Sequence, residues 1–148
     1  MKQSSSNKGS NKLSVEVVLL AAQSDHQTLA LWAADCAERV LPLFADLNPD
    51  DTRPSLAIAA VRVWASGQMS VGEARKSAFA AHAAARESGS TAAAAVARSC
   101  GHAAATAHVA GHAIHAAIYA IKAVTLAGSD IEAEYIWQLK RLKTQSSY

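Results

Sequence analysis

Alanine constrains this chain more than any other feature. It runs through segment after segment, among them residues 99–122, Ser-Cys-Gly-His-Ala-Ala-Ala-Thr-Ala-His-Val-Ala-Gly-His-Ala-Ile-His-Ala-Ala-Ile-Tyr-Ala-Ile-Lys. Alanine is the best helix former because it has no side-chain rotamer freedom to lose. At a helix contact it lets axes approach to the short end of the usual range of roughly 8–10 Å. A chain so built folds as helices pressed closely on helices. The same stretch holds four histidines within fourteen residues, His102, His108, His112 and His115. Imidazoles exchange protons near neutral pH and ligate metals.

The punctuation of the chain predicts an all-α fold, one domain of about six helices in a bundle or array with an alanine-rich core. That domain spans residues 13–144 and follows a polar, disordered tail at 1–12. Ser14 is read as the cap of a short first helix running to about residue 22. Ser24 or Asp25 can cap a helix over 26–44 that turns Leu29, Ala33, Ala37, Val40 and Phe44 to one face, with Asp35 and Arg39 as an i,i+4 pair. Pro42 should kink or end that helix, since it cannot donate to the Glu38 carbonyl. Residues 46–54 form a loop, because Asn48-Pro49 and Arg53-Pro54 push the residue before each proline out of the helical region. Thr52 or Asp51 caps the next helix, whose Leu56, Ala60, Val63 and Trp64 are expected inside and which Gly67 ends.

Ser70-Val-Gly-Glu73 has capping-box spacing and starts a helix to about residue 87, with Ala74, Ala78, Ala81 and Ala85 on its small side and Phe79 and His82 sharing a face. The turn at 88–91 caps a helix to about His108. Gly101 lies in its middle at a cost of about 1 kcal/mol unless close packing, such as a crossing backbone, recovers it. Gly111 breaks the path before a helix over 112–126 closed by Gly128. Ser129 or Asp130 caps the last helix, 131 to about 142, which docks through Tyr135, Trp137, Leu139 and Leu142.

Charge and cysteine narrow the function classes. The net charge is +2, yet Lys2, Lys8, Lys12, Lys140, Arg141 and Lys143 place +6 at the two ends, leaving eight Lys and Arg against twelve Asp and Glu between them. A body of net −4 predicts no nucleic-acid partner. Glu16 interrupts the apolar run at 15–22, and three histidines and Lys122 interrupt the one at 103–127, so no membrane span is expected. Cys36 and Cys100 sit in apolar helical patterns and read as a reduced pair in a cytoplasmic protein.

Positive signs of catalysis are missing from the motifs. There is no nucleophile elbow, phosphate-cradling glycine loop or CxxC pair. Cys36 lies beside Asp35 and Glu38, which oppose a thiolate. His108, His112 and His115, spaced four and then three, would share a face of one unbroken helix and could hold Zn²⁺. Gly111 intervenes, however, and neither an HExxH arrangement nor an orienting carboxylate accompanies them. The expectation is therefore no catalytic residue, no metal and no cofactor, with a histidine metal protein or metalloenzyme as the alternative. The plainer role for His102 and His108 is to tie helices together through backbone carbonyls. Asp35, Arg39, His82, His102, His108 and Tyr119 are the expected buried polar network. A self-associating helical module, for instance a homodimer, is a further alternative.

The segments at 31–44, 53–54, 60–67, 78–86, 101–109 and 117–122 resemble the Imm-5-like family of immunity proteins, small bacterial proteins of polymorphic toxin systems. The most specific are Trp32-Ala-x-x-Cys-Ala-x-Arg-Val-Leu-Pro42 and Gly101-His-Ala-x-x-Thr-Ala-His108. The resemblance implies an all-helical cytoplasmic protein that binds and neutralises a cognate protein toxin without catalysis. Trp32, Cys36, Arg39, Pro42, Arg53, Pro54, Trp64, His82, His102, His108 and Tyr119 fall on these segments with largely structural roles. His115 falls where the family has a small residue. Recognition then belongs to exposed side chains, and Asp46, Asp50, Asp51, Glu132 and Glu134 are the candidates for contacting a basic toxin such as a nuclease.

Overall fold

The computed structural model describes residues 2–146, with side chains from residue 9 onward. Short polar side chains mark four of the helix starts. Asp25 accepts from the Thr28 N–H at 2.7 Å at the head of α2 (His26–Val40), and Ser70 accepts from the Glu73 N–H at 3.2 Å at the head of α5 (Val71–Glu87). Ser90 serves α6 (Thr91–Ala105) through Ala93 N–H, and Asp130 serves α8 (Ile131–Ser146) through Ala133 N–H at 3.0 Å. Each satisfies an amide with no partner inside its helix. Gly67 and Gly128 follow α4 (Arg53–Ala65) and α7 (His112–Leu126) with φ of +83° and +74°, a region that side chains with a Cβ avoid.

Among the described residues there are eight helices and no strand. Two of the eight differ from what was expected. Pro42 opens a separate four-residue helix, α3 (Pro42–Ala45), because Leu41 takes the Glu38 carbonyl at 3.2 Å and proline cannot continue the ladder. The other is α1 (Lys2–Ala22), which starts far ahead of the expected Ser14 cap and is helical through the polar stretch read as a tail. Its composition favours no helix, but α1 lies on α8, where Gly9 comes against the Glu132 carboxylate. Tertiary packing thus overrides local propensity.

The helices wrap α2 and α6. α6 lies between α5 and α7, α4 packs on α5, α6 and α2, and α2 also touches α7 and α8. Among the described residues Trp32 is the largest fully buried side chain, in a core made mostly of alanine. Small contacts bring backbones within reach of side-chain donors. The Trp32 indole donates to the Gln138 carbonyl at 2.9 Å, Gln138 donates to the Ala117 carbonyl at 3.0 Å, and Ser99 donates to the Ala116 carbonyl at 2.7 Å. These bonds join α2 to α8, α8 to α7 and α6 to α7. Among the described residues no buried side-chain nitrogen or oxygen lacks a partner.

Two further expectations need correction. In α4 the buried face is Ala57, Ile58, Ala60, Val61 and Ala65, whereas Leu56 and Val63 are exposed, a rotation that the many alanines disguise. α6 stops at Ala105, and His108 lies in the turn leading to α7. Beyond Ala105 the amides of Ala107 and His108 turn to the carbonyls three residues back, Ala104 and Ala105, so the four-residue ladder tightens and ends.

Candidate functional site

Four histidines and a tyrosine meet where α5, α6 and α7 come together. His102 of α6 is the hub. Its ring is edge-on to His82 of α5 (centroids 5.0 Å apart), stacked on His112 at 5.2 Å, tilted on His115 at 5.3 Å and stacked on Tyr119 at 5.3 Å. His112, His115 and Tyr119 share a face of α7 by their spacing of three and four. Gly101 makes room for the cluster. A Cβ there would stand 2.7 Å from Cε1 and Nε2 of His82, so an imidazole, not a crossing backbone, occupies the space that the missing side chain leaves.

His102 and His112 face each other through Nδ1 at 3.0 Å. One ring must donate and the other accept, so this bond tolerates at most one positive charge on the pair. Burial pushes the His102 pKa down to about 4, helped by His82, His112, His115 and Arg98. Burial also lowers His82, with Arg98, Arg86 and His112 adding to it, and lowers His112, with His115 and His108 adding to it. The charged neighbours acting on these rings are all cationic.

A pocket of about 150 Å³ opens beside the cluster, lined by Arg75, Ala78, Phe79, His82, Ala105, His108 and His112. Phe79 is 62% exposed at its rim, with the Arg75 guanidinium 5.7 Å from its ring centroid. Here two turns of helix α5 present Arg75, Phe79 and His82 toward the turn after α6.

The other members of the expected polar network lie between α2, α4 and α8. Asp35 and Arg39 do not pair with each other, because each finds a partner on another helix. Asp35 accepts from Arg62 at 2.8 Å, Arg141 at 2.8 Å and Gln145 at 2.6 Å. Arg62 also holds Glu38 at 2.7 Å. Arg39 donates Nε to both oxygens of Glu134 at 3.0 Å while lying 4.6 Å over the Trp137 ring. Cys36, buried beside this ionic group, has its thiol pushed well up by desolvation first and then by Asp35 and Glu134. Cys100 is also free and buried.

Of the five acidic surface candidates, Asp46, Asp50 and Glu132 are exposed. Asp51 is held by Arg53 at 2.7 and 2.9 Å, and Arg53 reaches on to Glu87 at 2.7 Å. Glu134 is not on the surface but buried against Arg39, since α8 turns that face toward α2.

Residues 19–145 match the family model described as Imm-5 like putative immunity protein. The chain belongs to this family. The match takes in the end of α1 and all the later helices, and with them both the histidine cluster and the ionic group. No curated protein and no solved structure matches the chain. In this Imm-5 like protein, among the described residues, no group of three or more His, Cys, Asp or Glu side chains is placed to hold a metal ion. The set His108, His112 and His115 is divided by the turn at 106–111, with His108 and His115 exposed. Nor, among the described residues, is any helix long and apolar enough to cross a membrane.

Sequence reasoning about this Imm-5 like chain missed several partners. Arg62, Arg141 and Gln145 reach Asp35 from other helices, and no local spacing announces them. His26 bonds the Thr106 carbonyl and packs on Trp64 at 4.8 Å, the carbonyl-tying role expected of His102 and His108. Gly101 was a usable signal for close packing, although the ring that fills the space lies nineteen residues earlier.

Proposed function

We propose that this protein is a cytoplasmic bacterial immunity protein that binds a cognate protein toxin and neutralises it by occupying it, catalysing nothing itself. The observation carrying this reading is the family match over residues 19–145. The absence of catalytic motifs in the sequence is consistent with it. Asp46, Asp50 and Glu132 are proposed contacts for a toxin that is basic where it faces them, and Asp51 supports that loop through Arg53.

Co-expression with the product of each adjacent reading frame tests the function. The expected result is host survival with one neighbour's product, together with its co-purification. Survival that does not depend on this chain, with no product retained, would overturn the reading. Charge reversal at Asp50 and Asp51 is expected to lower toxin affinity and flatten its salt dependence. Unchanged binding would remove the loop from the interface.

A further inference from the structure

We propose that the pocket between α5 and the α6–α7 turn is a docking site for an acidic side chain, an Asp or Glu carboxylate carried by the protein partner, with Phe79 as the aromatic anchor beside it. This rests on the reading that the partner is a protein. It adds the chemistry of one contact.

Among the described residues Arg39, Arg53, Arg62 and Arg141 each hold a carboxylate at 2.7–3.0 Å. Arg75 holds none, and its guanidinium instead lies by the Phe79 ring. No carboxylate lines the pocket. The charged and titratable groups lining it are Arg75 and His82 from α5, His108 from the turn and His112 from α7, with His102 against both His82 and His112 and with Arg98 and Arg86 acting on His82. In a body of net −4, this is a local excess of donors and positive charge without a counter-anion.

A phenylalanine 62% exposed on a helix whose buried face is alanine does nothing for the core. An aromatic ring flanked by an arginine at the mouth of a pocket is the composition of an interface hot spot. The occupant implied is a carboxylate reaching Arg75 and the imidazoles while its apolar surroundings cover Phe79. A partner that also met Asp50 would be acidic here and basic there.

Proton linkage gives the site a signature. Burial disfavours the charged forms of His82, His102 and His112 in the free protein, and a carboxylate against them favours those forms. The His102–His112 bond can accommodate one such proton. Binding therefore takes up protons and weakens as pH rises.

A capped tetraglutamate peptide titrated into the whole protein, with histidine Cε1–H resonances followed by NMR, tests this without the toxin. The expected result is saturable shifts of His82, His108 and His112 with His26 unmoved, tighter at about pH 6 than at about pH 8. Arg75→Glu, at an exposed position, is expected to weaken binding about tenfold or more, and Phe79→Ala to weaken it less. No shift in the wild type, equal binding by Arg75→Glu, or the same shifts with a capped tetralysine peptide would overturn the proposal. In co-expression, a wild type that fails to rescue counts against the immunity reading and leaves the peptide titration to decide the pocket. A wild type that rescues alongside an equally effective Arg75→Glu counts against the pocket alone.

Discussion

At the scale of single residues, Gly101 and His82 form a pair whose coupling can be measured. Gly101→Ala gains about 1 kcal/mol of helix propensity but drives a methyl to 2.7 Å from an imidazole held edge-on by His102. The expected net loss is about 1–2 kcal/mol by urea denaturation. In a His82→Ala background the same change should be neutral or stabilising, and a double-mutant cycle reads the difference. His102 makes the second residue-scale prediction. Its pKa lies near 4 in the folded protein against an ordinary 6.5, so the fold favours the neutral ring. The stability this provides is complete above about pH 6.5 and is lost as pH falls toward 4. Discounted for partial exposure, the loss from this ring is on the order of 1 kcal/mol at about pH 5. Thermal melts across that range should show it, and His102→Asn should flatten the acid limb.

At the scale of elements, the ends of helices were legible in the sequence and their faces less so. Asp25, Ser70, Gly67 and Gly128 act within a few residues of themselves, so their meaning is local and survives without knowledge of the fold. The register of α4 does not, because Ala57, Ala59, Ala60 and Ala65 surround the helix with residues acceptable on either side, and Leu56 and Val63 then mark the wrong stripe. The N-terminal extent of α1 was illegible for another reason, since its support comes from α8 at the far end of the chain. The candidate site was partly legible. The six residues expected as one buried polar network are not one unit: the half-buried rings of His82 and Tyr119 lie against His102, His108 is exposed, and Asp35 and Arg39 belong to a second group that ties α2 to α4 and α8. That second group supplies the element-scale prediction. Asp35, 12% exposed with partners on two other helices, should cost about 1–3 kcal/mol when changed to Ala, read as a lower denaturation midpoint with an unchanged slope. A loss confined to a few tenths would mean that the three helices are held together by alanine packing alone.

At the scale of the whole molecule, the alanine-rich interior and the surface divide the work. Close packing of α2, α6 and α7 fixes the frame, and that frame sets an exposed Phe79, an arginine without a carboxylate and a group of imidazoles side by side on one face, with exposed Asp46 and Asp50 in the loop before α4. Under the proposed immunity reading, these separate patches of opposite sign are the contacts for one protein partner. Titration of the purified cognate toxin with this protein, following toxin activity against molar ratio, tests that account most directly. Inhibition by occupancy predicts a linear fall in activity that ends at one equivalent and is reversed when the complex is dissociated. Full inactivation by a small fraction of an equivalent, persisting after this protein is removed, would show it to act as a catalyst and contradict the account.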